Sequence, residues 1–142
     1  MKNINKFFNI LSFITLALTS MFLILIFYWR FLPYKTIKFN NIPFPISTFE
    51  VERGGILQYQ VDYCKYTDLG AEVSKTFIND IIYTTPAIIT NRPIGCHVST
   101  ITTIIPKELP PSMYKLQIIY RYKVNPMRYI EVITETQKFI VK

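Results

Sequence analysis

From Phe7 to Trp29 the chain reads FFNILSFITLALTSMFLILIFYW, without one charged residue. At about 1.5 Å per residue, a helix over this stretch reaches about 34 Å, enough for a hydrocarbon core of about 30 Å. A lone segment can satisfy its own backbone polar groups in lipid only as a helix. Tyr28 and Trp29 stand at its C-terminal edge, where amphipathic rings favour the interface, and Arg30 and Pro33 close it. A transmembrane anchor helix is therefore expected over residues 7–32, after a short tail at 1–6, with the lipid bilayer as its partner. The competing reading is a cleaved signal peptide, with Lys2 and Lys6 as its basic region and ALTS at 17–20 as a faint cleavage site. The apolar run continues from Met21 to Trp29, longer than such a peptide needs, so an uncleaved anchor is the expectation.

Charge alone does not orient the anchor. Lys2, Lys6 and the terminal amine are nearly balanced by Arg30, Lys35 and Lys38. The short tail and an exported character of the rest favour a cytoplasmic N-terminus and a periplasmic or extracellular C-terminal domain. Ser12, Thr15 and Thr19 share one helix face, either to pack on another helix or to bond back to their own.

Beyond the anchor the periodicity changes. PYKTIKFNNIPFP, residues 33–45, reads as a linker or first edge strand. Residues 46–142 then alternate with a period of two. ISTFEVERGG offers a short strand and a turn. ILQYQVDYC puts Leu57, Tyr59, Val61 and Tyr63 on one face. EVSKTFINDIIYTT holds Val73, Phe77, Ile81 and Tyr83 in phase, interrupted by Lys75 and Asn79. CHVSTITTII is rich in Thr and Ile. MYKLQIIYRYKV sets Tyr114, Leu116, Ile118, Tyr120, Tyr122 and Val124 against Lys115, Gln117, Arg121 and Lys123. RYIEVITETQKFIV changes phase between Ile130/Val132 and Phe139/Val141, which implies a bulge between Thr134 and Lys138. VNPMR fits a tight hairpin. With 10 Tyr and 11 Phe favouring pleated sheet, the fold class expected is mainly β: one transmembrane helix followed by an antiparallel sandwich.

The excess of 16 Lys+Arg over 9 Asp+Glu is scattered rather than gathered in a tail, so solvated strand faces are its expected use. Nucleic acid is not expected as a partner of an exported domain.

IPKELPPSMYKLQIIYRYKV resembles the approach to the penultimate strand of immunoglobulin-like and fibronectin-type sandwiches. There a leucine and a proline precede a corner tyrosine; Leu109, Pro110 and Tyr114 are the matching residues. The chain from 33 to 142 is also similar to small membrane-anchored proteins of unassigned activity from tailed phages and prophages. PYKTI-F, VDYCKYTDL, TNRP-GC, IPKELPP and YRY-VNP-R carry that similarity. It implies an immunoglobulin-like sandwich and a phage or prophage origin, and transfers no catalytic residue. Cys64 ends one strand and Cys96 begins another, with no tryptophan between them, unlike the usual immunoglobulin pair.

In a sandwich of this order those two strands are the second and fifth, antiparallel neighbours in one sheet. A cross-strand disulfide between Cys64 and Cys96 is thus the expected use of the two cysteines, in an oxidising compartment. The alternatives are a copper or zinc site of Cys64, Cys96 and His97, serving an envelope metal-handling protein, and a reactive thiol. Cys96 and His97, as strand neighbours, point to opposite faces, which disfavours the metal. No cofactor is expected. The sequence has no phosphate loop, GxSxG elbow or HExxH, and Glu50, Glu52, Glu131 and Glu135 read as solvated carboxylates. The expectation is a non-enzymatic binding or scaffolding module for a host or viral membrane protein. Its contact surface is expected on the YRYKVNPMRY hairpin, at Arg121, Lys123, Arg128 and Tyr129.

Overall fold

The computed structural model describes residues 2–142. It divides into two compact units: the N-terminal helix with Asn125–Arg128, and a β unit of Lys35–Val124 and Tyr129–Lys142.

Helix α1 spans Lys2–Phe31. The span Phe8–Phe31 has a mean hydropathy of 2.6 and none of its residues is buried in the protein, so it is long and apolar enough to cross a membrane. The tail expected at 1–6 is helical from Lys2, because no proline or glycine stops the helix there; Met1 lies outside the described residues. Thr15 Oγ1 donates to the Leu11 carbonyl at 3.0 Å, and Thr19 Oγ1 to that of Thr15 at 3.0 Å. Both threonine hydroxyls of the polar stripe are thus satisfied by their own helix. The last helical bond runs from Leu32 N to Tyr28 O at 3.1 Å, and Pro33 has no N–H to continue it.

The strands are β1 (Ile37–Phe39), β2 (Glu50–Val51), β3 (Ile56–Lys65), β4 (Ala71–Ile78), β5 (Ile82–Thr84), β6 (Ile88–Thr90), β7 (Gly95–Ile104), β8 (Ser112–Asn125), β9 (Arg128–Glu135) and β10 (Phe139–Val141). One sheet runs β1-β3-β7. The other runs β2-β10-β8-β4-β5, with β6 also on β4 and β9 also on β8. β2 lies parallel to β10, whereas β3–β7 and β4–β8 are antiparallel. Alternation decides what each strand buries. Leu57, Tyr59, Val61 and Tyr63 of β3 and Tyr114, Leu116, Ile118, Tyr120 and Tyr122 of β8 join one buried cluster with Phe44 and Phe77. Each such side chain contributes about 1.5–3 kcal/mol of apolar burial.

Local chemistry sets the connections. Gly54 takes φ +77° in the turn between β2 and β3, a backbone region that glycine enters without a Cβ clash. The stretch expected as one strand from Glu72 to Thr85 is instead a hairpin. It reverses at Asn79–Ile81, pairing Phe77 with Tyr83, and Ile81 is exposed rather than in the core. Lys75 and Asn79, which interrupt the apolar phase, mark that departure. In the last segment Thr134 and Thr136 are buried, and after Gln137 and Lys138 the phase moves to Phe139 and Val141. The break is where Phe44 inserts: Phe44 N donates to Glu135 O at 2.8 Å and Gln137 N to Phe44 O at 3.0 Å.

Tyr114 Oη donates to the Pro110 carbonyl at 2.9 Å, and Leu109 beneath that bond is fully buried. Tyr114→Phe is expected to cost the β unit about 1 kcal/mol, as a lower thermal midpoint by circular dichroism. An unchanged midpoint would mean the hydroxyl does not hold this corner.

Candidate functional site

Three clusters carry chemistry. The first lies on the hairpin of β8 and β9. Because Tyr120 and Tyr122 point inward, Arg121 and Lys123 point out. The Arg121 guanidinium stands 4.7 Å over the Tyr129 ring, and its Nε is 3.1 Å from Glu131 Oε1. The Lys123 ammonium is 6.0 Å from the same ring. Exposed contacts of this kind are worth about 1 kcal/mol or less each, so they shape the patch more than they stabilise it. Arg128 does not join them. Its Nη1 donates to the Leu32 carbonyl at 2.6 Å within the helical unit, where Asn125 Nδ2 also donates to Trp29 O at 2.8 Å. The turn at Asn125–Met127 is closed by Met127 N donating to Asn125 Oδ1 at 3.0 Å.

The second cluster holds the cysteines. Cys64 and Cys96 are register partners on β3 and β7, and their sulfurs are bonded. They lie on the outer face of the first sheet. His97 points to the other face, 5.9 Å from the Tyr63 ring, with Nε2 3.0 Å from Ile94 O. Both sulfurs are taken and the imidazole is turned away, so the copper or zinc arrangement of Cys64, Cys96 and His97 does not form. Among the described residues no three His, Cys, Asp or Glu side chains group to hold a metal ion.

The third cluster is cationic and turned inward. Lys65 occupies the next inward position of β3 after Tyr63 and is 2% exposed. Its Nζ donates to Asn91 Oδ1 at 2.5 Å and Arg92 O at 2.7 Å. Burial lowers its pKa, Asp68 nearby opposes that, and Arg92 adds to it. Lys75 shares the inward phase of Val73 and Phe77 and donates to Thr103 Oγ1 at 2.7 Å. Its pKa is lowered by burial and then by Arg92. The Arg92 guanidinium lies 4.9 Å from the Tyr63 ring and 5.5 Å from the Tyr120 ring. Its Nη2 reaches Tyr120 Oη at 3.2 Å, while its Nε is buried without a partner. Burial raises the pKa of Tyr59 and Tyr120, and that of Tyr122 to about 12. The ion pairs among the described residues, Lys115–Glu135, Arg121–Glu131 and Lys142–Glu50, involve none of the three inward cations.

No protein-family model matches this chain, and no curated protein matches its sequence. Its chemistry is therefore read from geometry alone. Lys75 and Arg92 meet hydroxyls and Lys65 meets an amide oxygen and a backbone carbonyl, so the three inward cations are solvated by neutral oxygens rather than paired with carboxylates. Sequence reasoning placed Lys65, Lys75 and Arg92 among solvated charges. Lys65 was visible as one further step of the β3 alternation, and Lys75 as an intruder in an apolar phase. Arg92 sits in the loop after β6, where no periodicity marks it.

Proposed function

We propose that this chain is a non-enzymatic, single-pass membrane-anchored binding module, phage- or prophage-encoded, that presents an immunoglobulin-like β-sandwich outside the cytoplasmic membrane. The carrying observation is the join of two incompatible surfaces in one chain. No residue of the apolar span Phe8–Phe31 is buried in protein, and the span leads into a β unit closed by a disulfide. Lipid covers the first, and an oxidising compartment preserves the second. The immunoglobulin-like reading is supported by the Tyr114–Pro110 corner, the parallel β2–β10 pair and the sheet orders β1-β3-β7 and β10-β8-β4. The N-terminus then lies in the cytoplasm.

The partner is a membrane protein of the host or virus, and the outward patch of Arg121, Lys123 and Tyr129 is its first contact. Arg and Tyr bind well there because their side chains already hold one another in place. Two measurements test this. Alkaline carbonate should leave the full chain in the membrane pellet, and protease outside spheroplasts should digest the β unit; a carbonate-soluble chain or a protected β unit overturns the anchoring. Joint replacement of Arg121, Lys123 and Tyr129 by alanine should weaken capture of the cross-linked partner at least about tenfold, with unfolding unchanged. Unchanged capture removes the patch.

A further inference from the structure

Strand β7 has β3 on one side and, among the described residues, no strand on the other. The Cα atoms of Cys64 and Cys96 are 4.0 Å apart, the close spacing of a pair whose own N–H and C=O groups turn away from each other. One residue beyond the strand, Ile105 N donates to Gly55 O at 2.8 Å, so the odd-numbered positions bond towards β3. The backbone groups of Cys96, Val98, Thr100, Thr102 and Ile104 therefore face the open side. Among the described residues none of them meets another strand there. Proteins normally guard such an edge with lysine, proline or a bulge. GCHVSTITTI has no Lys, Arg, Asp, Glu or Pro.

A cleft of about 350 Å³ opens beside the far end of this edge, between Thr102–Ile104 and Thr85–Ile88. Val73 and Ile88 make its walls apolar, and Lys75 supplies its one charged group. That ammonium bonds a threonine hydroxyl and no carboxylate. We infer that the β7 edge is an unfilled strand position, taken by an extended segment of a partner protein that turns one Asp or Glu side chain inward onto Lys75. Backbone pairing along β7 gives such a segment its affinity, and alternate side chains fall into the gap between the sheets. Charge complementarity selects the acidic residue: the inward cations have no ion-pair partner, and a carboxylate makes a charge-assisted bond that an amide does not match. This deepens the binding-module reading and rests on it, but it does not rest on the hairpin patch.

The test uses the full chain in detergent with its disulfide intact. The probes are fluorescein-labelled heptapeptides of alternating Thr and Val with a central Glu, and the same peptides with Gln. The Glu probe should bind by anisotropy, and the Gln probe about tenfold more weakly. Lys75→Gln should erase that difference while leaving Gln-probe binding. Thr100→Pro should abolish binding of both, because the Thr100 N–H faces the open edge and the β3 ladder keeps its bonds. Amides of Val98, Thr100 and Thr102 should exchange more slowly with probe bound. Equal binding of Glu and Gln probes, no binding of either, or indifference to Thr100→Pro overturns the inference. So does a wild-type dimer that Thr100→Pro turns into a monomer, which would make a second copy the occupant. Probe failure alongside patch-dependent partner capture removes only the edge site; failure of both removes the binding module as well.

Discussion

Replacing Cys64 and Cys96 together by serine should lower the stability of the β unit by about 3–4 kcal/mol, because the bond closes a long loop in the unfolded chain. The two cysteines are 32 residues apart in sequence. For a domain of this size such a loss moves the thermal midpoint down by roughly 15 °C or more, a large share of the total stability of a small domain. The effect should also be local. β7 is held by one neighbouring strand, and the bond fastens its first turn of residues to the last of β3. Amide exchange should rise first at Gly95–Ser99. A midpoint that hardly moves, or exchange that rises evenly over the whole unit, would show that the bond adds nothing to the β3–β7 ladder.

Alkaline pH should unfold the β unit through its buried tyrosines. The Tyr122 pKa is raised from 10.0 to about 12, and those of Tyr59 and Tyr120 are raised too, chiefly by burial. A raised folded-state pKa means that the folded chain holds its proton after the unfolded chain has released it. The stabilising contribution is complete below pH 10 and is lost as pH climbs towards 12. Tyr122 alone then accounts for about 2 kcal/mol by pH 12. Lys65 and Lys75 act in the opposite sense, since burial lowers their pKa. They hold a proton at a disadvantage in the folded state, and that disadvantage shrinks as pH rises to 10.5. Stability should therefore climb gently towards pH 10 and fall steeply beyond it. The part of the phenolate absorbance that Tyr122→Phe removes should rise together with loss of circular dichroism, and Tyr122→Phe should push the transition to higher pH. If that Tyr122-dependent phenolate forms well before unfolding, the Tyr122 hydroxyl is open to water.

Much of this molecule was legible because its information is local. The uncharged run marks a helix that protein does not cover, and strict alternation in β3 and β8 names the buried tyrosines one by one. The corner at Leu109, Pro110 and Tyr114 could be read from side-chain order, because the hydroxyl bonds a carbonyl four residues back. On the β8–β9 hairpin the outward direction of side chains was legible in the strands and not in the turn. Arg121, Lys123 and Tyr129 follow from alternation, while Arg128 depends on how a turn aims its side chain. The Ile81 reversal was missed because an apolar phase continues through it, and only pairing with Phe77–Ile78 distinguishes a hairpin from a long strand.

The sequence by itself determined the apolar helix, the period-two character of everything after it and the identity of most of the core, since each depends on the order of neighbouring residues. The tertiary structure alone decided that Cys64 and Cys96 stand in register, that Arg92 lies over the Tyr63 and Tyr120 rings, and that, among the described residues, β7 is left with an open side. Those features come from pairings between segments far apart in the chain, and strand register and sheet order are settled by which apolar faces close on one another.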